Sequence, residues 1–338
     1  MTKSHDLPSA APMTRQRLLQ LAAATGAALA ADGLLRPWGS AFAQSGPVYD
    51  PAVSAKPVQT KPIPSSGEQL PIVGMGTWAV LEAPIRDPKF STHVEAVRVL
   101  LNGGGKVIDT APTYGPAEPH LGEIFKRTGL RDKAFIATKI SLQGNNKEKE
   151  GIAQVAQSMK DLGTNRFELL QVHNIRDWKV QLKTIRRLKD EGKVKYVGIT
   201  TSFENTYAEY EQILKTEKLD FAQIDYALDN RRAEDRILPL CKDRGVSVLT
   251  ALPFGRNRLL AQARGKEIPV WARRELDCAS WANYFLKYLL GHPAVGVVIP
   301  GTDRPEYAID NLYAGRGRIP NEEQRKRMVV DWEKLAGG

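Results

Sequence analysis

The 338 residues carry 48 Lys and Arg against 38 Asp and Glu, a formal charge of +10, with 42% hydrophobic residues, an ordinary globular composition that holds one large domain or two average ones. The basic residues are dispersed, as in Lys183, Arg186, Arg187 and Lys189 on one helical pattern, which reads as a solvated face and sets aside a nucleic-acid interface. Only Cys241 and Cys278 occur and no C-x-x-C is present, which excludes a disulfide framework and leaves two free thiols as the expectation.

Residues 1–43 read as an export signal. Arg15 and Arg17 precede an alanine-rich apolar run from Leu18 to Leu35, and Ala41-Phe42-Ala43 ends it with small residues at a cleavage site. Thr25, Gly26 and Asp32 interrupt the run, against a permanent membrane anchor. Gln16 separates the two arginines that a twin-arginine signal would place side by side. An exported, periplasmic protein beginning at Gln44 is expected. Residues 44–66 are rich in proline and polar side chains and read as a flexible linker.

From residue 67 onward the pattern is strand and helix in alternation. Apolar strand candidates begin near Val73, Val107, Phe135, Phe167, Val194, Phe221, Val246 and Val295. Helical patterns run from His93 to Leu101, Gly151 to Leu162, Val180 to Glu191 and Trp281 to Leu290. Val94, Val97, Val99, Leu100 and Leu101 supply the broad apolar face of a covering helix. Strands separated by helices pair in parallel, and eight such units close into a (β/α)8 barrel of roughly 250 residues. Gly103-Gly104-Gly105 reads as a turn between a helix and a strand. The longest connection, Pro253 to Ala279, reads as a loop that overhangs one mouth. Asn321 to Leu335 reads as a last helix, with Asn321 as its N-cap.

Three apolar runs stop on a polar residue: Asp109 after Val107-Ile108, Lys139 after Ile136-Ala137-Thr138, and His173 after Leu169-Leu170-Gln171-Val172. Tyr114 lies just past the first. Strand ends at one mouth of a parallel barrel carry the chemistry. Tyrosine ionises near 10, and a neighbouring ammonium would lower that value. A tyrosine beside a lysine, a carboxylate and an imidazole is a proton-delivery site. No H-E-x-x-H, P-loop or serine triad is evident, and no metal is expected.

These segments resemble the aldo-keto reductases. The carriers are Gly74-Met75-Gly76-Thr77-Trp78, Ile108 to Gly115, Ala137-Thr138-Lys139, Gln171-Val172-His173-Asn174, Val197 to Thr200, Gln223 to Tyr226, and Val298 to Thr302. The resemblance, to an exported bacterial branch, implies carbonyl reduction by a monomer with NADP(H), or NAD(H) in its place. Tyr114 would donate the proton, Lys139 tune it, Asp109 hold Lys139, and His173 orient the carbonyl. The nucleotide would lie against Gly76, Thr77, Trp78, Thr200, Thr201, Gln223, Pro253, Phe254, Gly255, Gly301, Thr302, Arg304 and Asn311. Trp78, Trp178 and Phe254 would wall the substrate pocket. The chain departs from many relatives at the nucleotide. Thr200-Thr201 replaces a serine-asparagine pair, Ala251-Leu252 a stacking tyrosine and serine, and Gly301 and Tyr307 two cations for a 2′-phosphate. Two other readings stay open: a lyase using Lys139 as a Schiff-base nucleophile, and a barrel that binds nucleotide or a partner without catalysis.

Overall fold

In the computed structural model, residues 47–142, 144 and 147–337 are described, and the expected signal, residues 1–43, lies outside them. A compact unit extends from Tyr49 to Gly338. It starts with a short helix, α1 (Pro51–Ser54), and an antiparallel hairpin of β1 (Thr60–Pro62) and β2 (Gln69–Pro71). The linker expectation for residues 44–66 is therefore corrected from Tyr49 onward. Ile63 and Leu70 are buried among Val107, Phe135, Leu169, Tyr196, Phe221 and Val297, the inward side chains of the barrel. Lys61 clasps the hairpin to the barrel, its Nζ donating to Leu290 O at 2.9 Å and Val295 O at 2.7 Å. The hairpin plugs the end of the barrel where the strands begin. Its prolines are tolerated because each strand pairs on one side only.

Eight parallel strands follow: β3 (Met75–Gly76), β4 (Val107–Asp109), β5 (Phe135–Ile140), β6 (Phe167–Val172), β7 (Val194–Thr201), β8 (Phe221–Asp225), β9 (Ser247–Ala251) and β10 (Val295–Val298). Each neighbours the next in sequence, and bridges from Val73 to Val298 and from Gly76 to Gly301 close the ring. Glycine is required at the seam, since a Cβ on Gly74 would lie 2.5 Å from the Val107 carbonyl oxygen. Every residue of β5 is buried, as expected of strands covered on both faces. The fold is the (β/α)8 barrel.

The covering helices are α2 (Phe90–Asn102), α3 (Ala117–Thr128), α4 (Glu148–Leu162), α5 (Trp178–Asp190), α6 (Tyr207–Thr216) and α7 (Ile237–Asp243). The expected overhanging loop after β9 holds two short helices, α8 (Arg258–Gln262) and α9 (Val270–Leu276). Then come α10 (Trp281–Leu290), α11 (Pro305–Ala314) and α12 (Glu322–Ala336). Asn321 caps α12 reciprocally: its side chain accepts the Gln324 N–H at 2.9 Å and its own N–H donates to Gln324 Oε1 at 3.1 Å. Cys241 and Cys278 are free and buried. Among the described residues no helix is long and apolar enough to cross a membrane.

Candidate active site

Alternation along the strands turns residues 107, 135, 137, 169, 221, 249 and 297 into an apolar interior. Two positions further along, the interior becomes polar. Asp109, Lys139, Gln171 and Gln223 meet there and are all buried. Lys139 Nζ donates to Asp109 Oδ1 at 2.8 Å and to Thr110 O at 2.7 Å. Gln223 Nε2 donates to Asp109 Oδ2 at 3.2 Å, and Gln171 Nε2 donates to Gln223 Oε1 at 3.0 Å. Each carboxylate oxygen of Asp109 thus has a donor, which is what a buried charge requires. Burial opposes the Lys139 ammonium, yet Asp109 and Tyr114 outweigh it and hold its pKa above the ordinary value.

Tyr114 and His173 complete the group. Lys139 Nζ lies 4.7 Å from the Tyr114 ring centroid. The Tyr114 and His173 rings meet edge to face with centroids 5.8 Å apart. Burial raises the Tyr114 pKa and outweighs Lys139, which lowers it as expected; Asp109 pushes it further up, so the net shift is above the ordinary value. Tyr114 is therefore a firmly protonated acid. Burial, aided by the Lys139 and Arg176 cations, lowers His173 to about 3, so its imidazole is neutral. The three strand-end residues and Tyr114 converge on one mouth. Among the described residues no His, Cys, Asp and Glu cluster is arranged to hold a metal.

The chain just past His173 is strained. Asn174 and Ile175 have φ of 52° and 50°, and a β-branched residue rarely adopts that region. Thr200 Oγ1 fixes the turn by accepting the Asn174 N–H at 3.0 Å. The nucleotide residues inferred from sequence fall around the same mouth. Thr77 is buried and directs both its N–H and hydroxyl to Asp109 O at 3.0 Å. Thr201 bonds the Thr206 hydroxyl at 2.7 Å. Gln223 lies in the polar layer with one end on Asp109 and the other on Gln171. Asn311 Nδ2 donates to Thr302 Oγ1 at 3.0 Å. Arg304 stands exposed before α11, only 3.8 Å from Glu306.

The loop after β9 is held at several points, among them Trp271 Nε1 donating to Asp331 Oδ2 at 2.7 Å and Trp281 Nε1 donating to Lys266 O at 2.8 Å. Arg258 pairs with Asp229 at 3.0 Å, and the Arg256 guanidinium lies 4.9 Å from the Trp78 ring centroid. Pro253, Phe254 and Gly255 lead into it, with Gly255 at φ 56° over the Asp229 carboxylate. Trp178 and Phe254 are half-buried, the former tied through Nε1 to Glu209 at 2.8 Å. Sequence reading missed Thr113, Ser141 and Gln171 as site residues. Strand alternation was the available signal: Ser141 is two residues past Lys139, and Gln171 two before His173.

A (β/α)8 barrel with its functional groups at the carboxyl ends of the strands is an enzyme frame. Residues 72–326 match the model of the aldo/keto reductase family, and the chain belongs to that family. It is 28% identical over 203 residues to the aldo-keto reductase YhdN of Bacillus subtilis, a match covering 55% of this chain and 59% of that protein. The chain thus spans somewhat more than half the length of that relative. It is 26% identical over 256 residues to the NADH-specific methylglyoxal reductase of Escherichia coli, covering 63% of this chain and 75% of that protein. The aldo/keto reductase of Klebsiella pneumoniae in complex with NADP and acetate shares the fold, with a TM-score of 0.67 and 21% identity over 82% of this chain and 96% of that one.

Proposed function

We propose that the chain is an NAD(P)H-dependent oxidoreductase that reduces a small aldehyde or ketone to an alcohol, with Tyr114 as proton donor. The observation that carries this reading is the ion pair of Lys139 and Asp109 at 2.8 Å, set against Tyr114 with His173 at its edge. Relatives named as a reductase and an NADH-specific reductase support it. The residues suit a nicotinamide dinucleotide. Gly76 and Gly301 pair backbone to backbone at the mouth, where a Cβ on them would lie 3.0 Å from Ile299 O and 3.3 Å from Val80 Cγ1 respectively, so both positions stay bare. Thr200 accepts the Asn174 N–H and keeps its own proton to donate. The start of α11, with Arg304 beside it, suits a phosphate. When bound, the nicotinamide would supply hydride.

The chain's own groups do the rest. His173, being neutral, donates one N–H to the carbonyl oxygen. Tyr114 donates its phenolic proton to the same oxygen as negative charge develops there. Lys139 stabilises the tyrosinate left behind, and Asp109 with Thr110 O keeps Lys139 in place. The lyase alternative is disfavoured because the Lys139 ammonium is buried and its bonds to Asp109 and Thr110 leave little approach for a carbonyl carbon. Tyr114→Phe should lower aldehyde reduction by ~10²–10⁴-fold, the usual contribution of a general acid, with nucleotide affinity nearly unchanged. Full turnover by that variant overturns the assignment. Trapping of Lys139 by borohydride with a carbonyl compound would instead favour the lyase.

A further inference from the structure

We infer that Ser141 is a positioning residue that fixes the tautomer of His173, so that Nε2 carries the proton that meets the substrate oxygen; the inference rests on the carbonyl-reductase reading above. Ser141 follows β5 with the same inward parity as Lys139, and it is 8% exposed. Its hydroxyl is hydrogen-bonded to His173 Nδ1. On its other side lies the exposed Thr113 hydroxyl at 3.1 Å. The backbone of Ser141 is clamped from α4, its N–H donating to Gln154 Oε1 at 2.6 Å and its carbonyl accepting from Gln154 Nε2 at 3.4 Å. The hydroxyl is therefore delivered to Nδ1 by a rigid strand end, a threonine loop and a helix together.

A neutral imidazole has one N–H, and which nitrogen carries it is set by the partner of the other. Ser141 has a single proton and two neighbours. If Nδ1–H donated to Ser141, Nε2 would present a lone pair beside Tyr114 and compete with the substrate for the phenolic proton. If Ser141 donates to Nδ1, then Nε2–H is a donor, and His173 and Tyr114 can both donate to one carbonyl oxygen. The 3.1 Å contact to Thr113 accommodates either arrangement, Thr113 donating to Ser141 in the second and accepting from it in the first, so the charges around the ring decide. The charged groups facing His173 are Lys139 from β5 and Arg176 from its own loop, both cations. Asp109, the carboxylate of the site, is taken up by Lys139 and Gln223. Among the described residues no anion is therefore seen to draw the proton to Nδ1, unlike a histidine oriented by an aspartate.

The test is nitrogen NMR of protein labelled at the histidine ring nitrogens, with His173 assigned by its loss in His173→Gln. Wild-type His173 should show the Nε2–H tautomer near neutrality. Ser141→Ala should shift it toward Nδ1–H or a mixture and lower kcat/KM for an aldehyde roughly 10-fold, the scale of one oriented hydrogen bond, with nucleotide Kd unchanged. Ser141→Thr should restore both. An Nδ1–H tautomer in the wild type, or an unaltered tautomer in Ser141→Ala, overturns the inference. If the wild type reduces no aldehyde with either nucleotide, the functional reading falls, and the NMR result still decides whether Ser141 sets the ring.

Discussion

Tyr114 and His173 are both pushed out of the neutral range, chiefly because burial disfavours tyrosinate and imidazolium alike, with Asp109 adding to the shift at Tyr114 and the Lys139 and Arg176 cations to that at His173. His173 loses its proton above about 3, and the Tyr114 value is raised above its ordinary one. The reacting forms, neutral imidazole and phenol, thus coexist through the neutral range. The pH profile of kcat/KM should be flat from roughly pH 5 to 9. An acid limb near the ordinary histidine value would show that His173 titrates and does not donate as a neutral ring. The same shift affects stability: unfolded His173 takes up a proton below roughly pH 6.5 that the folded site refuses, so its contribution to stability is lost as pH falls below that value. A second residue-scale prediction concerns the 2′-phosphate. Arg304 is exposed, 3.8 Å from Glu306 and 5.8 Å from the Tyr307 ring centroid, whereas Arg258 is engaged by Asp229 at 3.0 Å and Arg256 lies closer to its ring, 4.9 Å from the Trp78 centroid. Arg304→Ala should erode NADPH affinity more than NADH affinity, read as the ratio of their Kd values. An unchanged ratio removes Arg304 and points to Arg256 and Arg258. Asp109, Tyr114, Lys139 and His173 were legible because each interrupts an apolar run or follows one closely. Thr113 was not, because a small hydroxyl in a polar turn has the same appearance whether it faces water or a buried partner, and Ser141 showed only its alternation with Lys139.

The strands were readable as elements because, covered on both faces, they appear as continuous apolar runs. The hairpin of β1 and β2 was hidden. Pro57, Pro62, Pro64 and Pro71 interrupt its pattern, and only Ile63 and Leu70 betray its buried side. A two-residue apolar signal looks like a tether until the barrel end that it fills is known. The short helices α8 and α9 escaped notice for a related reason: five and seven residues give too few turns for periodicity to show. Ile63 is 1% exposed and packs on inward strand residues, so the plug belongs to the core. Ile63→Ala should destabilise the fold by about 2–5 kcal/mol, the usual range for such a truncation, measured as a lowered urea midpoint at an unchanged slope. A loss well below 1 kcal/mol would show that the hairpin can leave the barrel end without disturbing it.

At the scale of the molecule, both ends of the described chain are fastened to the barrel. On α12, Arg325 donates to Glu234 at 2.6 Å, to Tyr226 Oη at 2.7 Å and to the Tyr288 carbonyl at 3.0 Å. At the other end, Tyr49 donates to Asp310 at 3.1 Å, the Asp50 N–H to Tyr313 Oη at 3.2 Å, and Arg316 to the Ser54 carbonyl at 2.9 Å. These contacts start only a few residues beyond the cleavage expected after Ala43, so removing the signal would leave the fastened segment intact. We propose that the protein is exported and that its mature form begins at Gln44. Terminal sequencing of the periplasmic fraction should find Gln44 first; intact Met1 or Thr2 in cytoplasmic protein would overturn export. A purified chain starting at Gln44 should melt at the same Tm as the full-length chain. One starting at Gly67 loses α1, β1, Lys61 and Ile63, and should melt lower or fail to fold. Equal melting of the Gly67 and Gln44 forms would restore the tether reading of residues 44–66 and make the barrel independent of what precedes it.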